Sequence, residues 1–425
     1  MVQILLAGIT LLLSSLPATI RSGGGDFFKL QFMGYFTGFV LVVSMWYVPP
    51  AAAQRTVHSV AQALATEEPV SLDLIYHNIS ELPAALFEIP HLTALSIQSD
   101  ALTELPDRFD ELPLLERLTL SGLPLRELPP SICEMKQLRL LNLYGSEVTE
   151  LPDCLGDLRH LETLNLYRTS IRTLPESVGR LMRLKSLNIF TDSLRHLPDS
   201  LGHLPRLEQL HLSAAHLDTL PATLAHLSTL RELWMEPCPW EQLPDWLFQL
   251  EDLEQLTVAA PLRQIDGIGG SQNLQTLILK GTVFPELPDA LLQLSRLREL
   301  RLSHGTLTEL PAALGQLDSL QILQISECAL TALPASIGQL PSLETLELTD
   351  NNLTRLPPEL AQLSRLQVLS VMANELQDVP RALARLPELE RLYLRFNFLS
   401  ESEEAWWEEQ LGNRVILKPQ RRSER

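Results

Sequence analysis

The chain has 425 residues, 45% of them hydrophobic and 20% charged, enough apolar side chain to bury a core and too much for a disordered polymer. Thirty prolines exclude a plain helical bundle, and a net charge of −19 argues against nucleic acid as a partner, because phosphate binding needs a basic surface. Four cysteines are too few for a disulfide-stapled scaffold and show no paired metal-ligand spacing.

Residues 1–53 differ in kind from the rest of the chain. Residues 2–20 are mostly apolar, and after Arg21-Ser22-Gly23-Gly24-Gly25 a second apolar run spans Phe32 to Val48. Lys29 ahead of that run and Ala51-x-Ala53 behind it have the layout of a secretory signal, with cleavage near Ala53. The predicted location is therefore outside the cytoplasm: periplasmic, secreted or cell-surface. Two alternatives stand beside it. Residues 32–48 are near the lower length limit of a membrane anchor, and a mis-assigned start would leave a cytoplasmic protein. Charge divides at the same point. Residues 1–53 carry +1 (Arg21 and Lys29 against Asp26), and the remaining 31 Lys and Arg against 51 Asp and Glu give −20.

Residues 54–69 hold Val57, Val60, Ala61 and Leu64, a helical stripe that predicts a capping helix ending before Pro69. From residue 70 to 399 the sequence repeats. Leu-Pro or Val-Pro pairs start at 82, 105, 128, 151, 174, 197, 220, 243, 287, 310, 333, 356 and 379, mostly 23 residues apart. The one long gap holds Ile265-Asp266 where a fourteenth pair is due. Ten residues before nearly every pair lies an L-x-x-L-x-L pattern, as in Leu161, Leu164 and Leu166. Its central leucine recurs from Leu72 to Leu392, which predicts about 15 short strands with one face inward and one toward solvent. Apolar residues after each pair, such as Leu201, Leu204 and Leu207, are spaced for a helical or 3₁₀ turn on the opposite side. A fixed period of this length makes the segment one solenoid.

Units such as LRLLNLYGSEVTELPDCLGDLRH and LETLNLYRTSIRTLPESVGRLMR resemble the 23-residue repeats of Ras-group and disease-resistance-like leucine-rich-repeat proteins and their bacterial relatives. The resemblance covers about residues 57–417 and implies an α/β solenoid: an arc with parallel strands on its concave face, 3₁₀ or helical turns on its convex face, and helical caps at both ends. It also implies a surface that binds protein or peptide. The family's ladder Asn survives only as Asn351, Asn374 and Asn397. Asp100, Ser146, Thr169, Asp192, Thr282, Cys238 and Cys328 hold the place elsewhere and can meet turn amides. Leu123, Ala215 and Pro261 cannot, so less regular turns are expected there. Pro261, Gly267, Gly269 and Gly270 also predict a bend or a loosened convex segment between Leu256 and Leu277.

Ser400 and Glu403 have capping-box spacing, and a helix through Trp406, Trp407 and Leu411 is predicted to end at Gly412-Asn413. Val415, Ile416 and Leu417 read as a closing strand, completing a cap over 400–417, and the basic octet 418–425 reads as a solvated tail.

No phosphate loop, nucleophile elbow or metalloprotease motif occurs, so no enzyme, cofactor or metal is expected. Cys238 and Cys328, at the ladder position, are read as structural thiols. Cys133 and Cys154 lie in adjacent convex segments two residues out of register, which argues against a bond but leaves pairing open in an exported chain. His203 and His226 sit one repeat apart without a third ligand and are read as surface residues.

The candidate site is on the concave face. Between the inward leucines, successive strands present Asn142, Asn165, Asn188, His211 and Trp234, and two residues further on Tyr144, Tyr167, Phe190 and Glu236, with Arg168 beside Tyr167. An exposed aromatic row beside an amide row is the composition of a binding hot spot. Duplication alone would align the repeated LNLY string, but Trp234 extends the patch beyond it. Arg391, Tyr393, Arg395 and Phe396 form a weaker second patch or meet the C-terminal cap. The predicted function is a non-catalytic scaffold that recognises a protein or peptide on this face. The alternative is an exported spacer protein without a specific ligand.

Overall fold

The computed structural model describes residues 55–74, 79–213, 215–217 and 219–420. The apolar segment 1–53 with its cleavage point, and residues 421–425 of the basic octet, lie outside the described residues.

Among the described residues, 17 strands pair in parallel in chain order, from β1 (Arg55–Val57) to β17 (Val415–Ile416). Fifteen of these, β2 (Val70–Leu74) to β16 (Arg391–Tyr393), carry the predicted central leucines; the other two belong to the caps. Register is set by the leucines: Leu141 pairs with Leu164 and Leu164 with Leu187, all fully buried. Burying one such side chain contributes about 1.5–3 kcal/mol. A slip of one residue would turn the whole set to solvent.

Each Leu-Pro pair starts the 3₁₀ turn that brings the chain back. Pro152 sits at φ −63°, ψ 143° just before the turn Asp153–Asp157, and its carbonyl accepts from Leu155 at 2.9 Å. Leu158 then donates to Leu155 and Leu161 to Leu158, so each amide is met three residues back. Proline loses nothing at that corner, because no partner waits there for an amide hydrogen.

The convex turns do not stack in the strand register. A β-carbon on Gly156 would lie 2.2 Å from the carbonyl oxygen of Ser177, and one on Gly202 would lie 2.1 Å from that of Thr223. The residue four after one proline therefore faces the residue two after the next, a separation of 21 residues rather than 23. Cys133 is four after Pro129 and Cys154 is two after Pro152. They occupy facing places, their α-carbons 5.8 Å apart, and form a disulfide across 21 residues. The two-residue offset that argues against pairing in strand register is what permits it here.

The shortened unit keeps its convex turn, Asp266–Gly270, and pairs five residues of β10 (Gln255–Ala259) with five of β11 (Thr276–Lys280). The expected loosening does not occur. The two missing residues come from the loop between strand and turn, and Ile265, 2% exposed, stands in the proline's place. Gly267 is needed because a β-carbon there would meet Phe248 at 2.4 Å. The exits at Leu123 and Pro261 close instead on short local bonds, Leu125 to Leu123 at 2.7 Å and Leu262 to Ala260 at 2.8 Å.

The Asn ladder is complete only at the C-terminal end. Asn374 donates to Leu348 O at 2.8 Å and Val371 O at 3.1 Å, and accepts from Leu353 N at 3.0 Å; Asn351 and Asn397 repeat the pattern. Gln420, 23 residues after Asn397, extends it, donating to Leu394 O at 3.0 Å. Residues 418–420 of the octet thus continue the fold rather than belonging to a solvated tail. Elsewhere the ladder is partial. Ser99 and Thr191, not the exposed Asp100 and Asp192, turn inward and donate to Ile79 O and Thr169 O. The hydroxyls of Ser146 and Thr169 are buried without a partner in the protein. Cys238 is buried and Cys328 half-buried, their thiols donating to carbonyls of Met235 and Ser326.

The N-terminal cap is a strand followed by a short helix, α1 (Val60–Leu64), not a longer helix from Val57. Val57 is buried through β1, while Ala63 is the helix's only buried residue and Leu64 is 42% exposed. At the other end α2 (Glu401–Leu411) starts where Ser400 Oγ accepts from Glu403 N, buries Trp407, and stops at Gly412 with φ 56°. Arg381 ties this cap to the last turn, 2.9 Å from Glu403 and 4.8 Å over the Trp406 ring.

Two outcomes test this packing. Asn374→Ala strips a donor from Leu348 and Val371 and an acceptor from Leu353, so urea unfolding should show a loss of about 1–3 kcal/mol with an unchanged slope. Replacing Cys133 and Cys154 by serine should cost about 3 kcal/mol, the entropy of a loop of this length; a melting temperature equal to wild type would mean the pair is not formed.

Candidate functional site

Side chains on the outer face of this sheet are placed by strand register, and equal positions in adjacent strands stand roughly 4.8 Å apart. On β5 (Leu140–Tyr144), β6 (Thr163–Tyr167), β7 (Ser186–Phe190), β8 (Gln209–Leu212) and β9 (Glu232–Met235), Asn142, Asn165, Asn188, His211 and Trp234 pair in sequence, as do Tyr144, Tyr167 and Phe190. The two predicted rows are therefore adjacent in space.

Their exposure differs from the expectation. Phe190 is 8% exposed, His211 8% and Asn188 0%, although they stand on the outer face of the sheet. The row covers itself. Tyr167 and Phe190 stack at 4.9 Å with planes 10° apart, so their faces meet each other and their edges point outward. Trp234 reaches back across β8 to lie 4.9 Å from Phe190 and 5.5 Å from His211. Burial pushes the Tyr167 hydroxyl up to about 12, keeping it a neutral donor. Asn142, Tyr144, Asn165, Tyr167, Trp234 and Glu236 remain half-exposed, and Arg168 is exposed.

Arg168 follows β6 at φ 53°, a left-handed conformation costly for a residue with a side chain, and its guanidinium lies 5.7 Å from the Tyr144 ring centre. The amides are linked where Asn188 donates to Asn165 at 2.7 Å and to Ser186 at 3.1 Å. The carbonyl oxygens of Asn142 and Asn188 are buried with no donor in the protein.

Three residues of the cluster stand outside the two predicted rows: Gln209, Glu232 and Lys280. Glu232 precedes Trp234 by two and so shares its face; its carboxylate lies 3.0 Å from His211 Nε2 and accepts from Gln209 at 3.0 Å. Lys280, two strands on from β9, donates to Glu236 at 2.9 Å. Period-two alternation from Trp234 would have found Glu232; the Lys280 contact spans 44 residues and has no local signal. The hydrogen bond from His211 holds the Glu232 carboxyl below its ordinary value, against the upward push of burial, with help from His211's charge and from Gln209. In the second patch, Arg391 donates to Asn413 O at 3.2 Å and Phe396 N to Pro419 O, so this part of the patch meets the C-terminal cap. Among the described residues no cluster of three or more His, Cys, Asp or Glu could hold a metal ion.

A family description, "Leucine-rich repeat region", matches residues 130–290 and 289–415. No curated protein matches the sequence. Among solved structures, a leucine-rich-repeat protein of Leptospira interrogans is similar at 28% identity and a TM-score of 0.73, over 86% of this chain and all of that one. The plant peptide hormone receptor RGFR1, solved with RGF2, is similar at 26% identity and a TM-score of 0.62, over 86% of this chain and 62% of the receptor. An internalin of Listeria monocytogenes shares the fold at 15% identity and a TM-score of 0.53, over 78% of this chain and 87% of that one.

The depressed Glu232 carboxyl stabilises the fold above its unfolded value, near 4.5, and loses that contribution as pH falls through the lower folded value. His211→Ala should move the Glu232 titration, followed by carboxyl-carbon NMR, upward, and should shrink the acid destabilisation below about pH 4.5. An unmoved Glu232 titration would exclude His211 as its main partner.

Proposed function

The chain belongs to the leucine-rich-repeat family, and on that premise we propose that it is a non-catalytic recognition scaffold whose partner, a protein or peptide, docks on the concave face over β5 to β9. One observation carries this reading: the Tyr167–Phe190–Trp234 stack built on the solvent face of the sheet, where later strands carry none. The same molecule supplies the contrast. At the places equivalent to Tyr167, later strands carry Ser303, Ser326 and Thr349, small polar residues that satisfy the sheet equally well. A spacer would need only those. Packed aromatic side chains held against one another lose little freedom on docking, which is how a hot spot gains affinity.

Export through residues 1–53 belongs to the same proposal. It is supported by the Cys133–Cys154 disulfide, a bond that persists in oxidising compartments. No helix among the described residues is long and apolar enough to cross a membrane.

Residues 54–425, immobilised, should retain a partner from the exported fraction of the native host. Tyr144→Ala and Tyr167→Ala should each weaken that retention by about thirtyfold, the loss at which a contact counts as a hot spot. Equal retention by wild type and both variants, with melting temperatures unchanged, would favour the spacer.

A further inference from the structure

Three consecutive outward side chains of β9 and its exit are Glu232, Trp234 and Glu236: a carboxylate, an indole and a carboxylate in line on one face. Each is held in place. Glu232 is fixed by His211 and Gln209, Trp234 by Phe190 and His211, and Glu236 by Lys280. Among the neighbouring groups, the buried amide oxygens of Asn142 and Asn188 are acceptors left without a donor in the protein. The nearby cations are engaged already, Arg168 on Tyr144 and Lys280 on Glu236. The face therefore presents two carboxylates, buried amide oxygens and π-density along β9 and beside it, with its two cations already paired. The Arg168–Tyr144 contact shows that the aromatic row accepts a guanidinium.

We propose that the occupant of this face is a cationic segment of another protein, bearing an arginine that seats over Trp234 between Glu232 and Glu236. This rests on the recognition reading above and gives its ligand a chemistry. Arginine fits better than lysine, because a planar guanidinium stacks on the indole while its edges donate to carboxylates on either side. The chain's net charge of −19 adds attraction at long range.

The test uses residues 54–425 and a fluorescein-labelled dodecapeptide repeating Gly-Ser-Arg, beside a twin with Gln for every Arg, at physiological salt to screen diffuse attraction. The Arg peptide should bind at least about tenfold tighter than its twin, and Trp234→Ala should abolish most of that difference. Glu236→Gln should weaken binding by about fivefold, whereas Lys280→Ala, which frees Glu236, should strengthen it by about threefold. Arg180→Ala, on the convex side, makes the same charge change and should leave binding as it was. Failure of the Arg peptide to bind, equal binding of the twins, or equal gains from Lys280→Ala and Arg180→Ala would overturn the proposal. The native partner separates the two readings: if Tyr144→Ala and Tyr167→Ala release it but Glu232→Gln and Glu236→Gln do not, the recognition surface stands and the cationic occupant falls.

Discussion

No coil of this chain can bury its own leucines. Leu164 is closed off by Leu141 on one side and Leu187 on the other, and each of those depends on its next neighbour. Two different stackings satisfy that dependence at once. Strands stack at 23 residues, where the leucines and the backbone ladder agree, and convex turns stack at 21, where a bare Gly156 lets Ser177 approach. The ends must break the pattern. β1 with α1, and α2 with β17 and Gln420, each supply a parallel strand that continues the sheet and side chains that hide the last leucines.

Much of this was legible in the sequence, because repetition multiplies a weak local signal. One L-x-x-L-x-L string could be helix or strand; thirteen of them in phase with the prolines could not. The part that failed was whatever depended on the second stacking. Register counted along the strands placed Cys133 and Cys154 two residues apart, whereas the convex turns bring them together. Counting five residues from each central leucine chose Asp100 and Asp192. A carboxylate accepts only, so it cannot donate to the buried carbonyls that Asn374 serves, and the hydroxyl one residue earlier takes its place.

The site was legible as a list and not as a surface. Alternation says which face a side chain leaves from, and all ten candidate residues do leave from the outer face or its edge. It does not say where long side chains go next. Trp234 crosses a whole strand to reach Phe190, where the small Ser213, just past the end of β8, leaves room. That one lateral reach buries His211 and Phe190 and turns an expected open row into a packed cluster. Lys280 was missed for the same reason: its role comes from a neighbour across strands, 44 residues away.

The last three repeats of the solenoid differ from the repeats that carry the site in how their turns are held. From Asn351 onward the turns are locked by side-chain amides bonded to three or more backbone groups. Between Ser146 and Thr169 the ladder places hold hydroxyls with no partner, and the nearest covalent tie is the disulfide on the opposite side of the coil. The aromatic cluster begins on β6, whose turn holds the Thr169 hydroxyl, and runs on to β9. Its stacking, its T-shaped contact and the Asn188–Asn165 bond join β6 to β9 across the outer face. A surface that contributes to the coherence of its own repeats is also one whose geometry is fixed before a partner arrives, since the contacts that stiffen the sheet are the ones a partner would otherwise have to order.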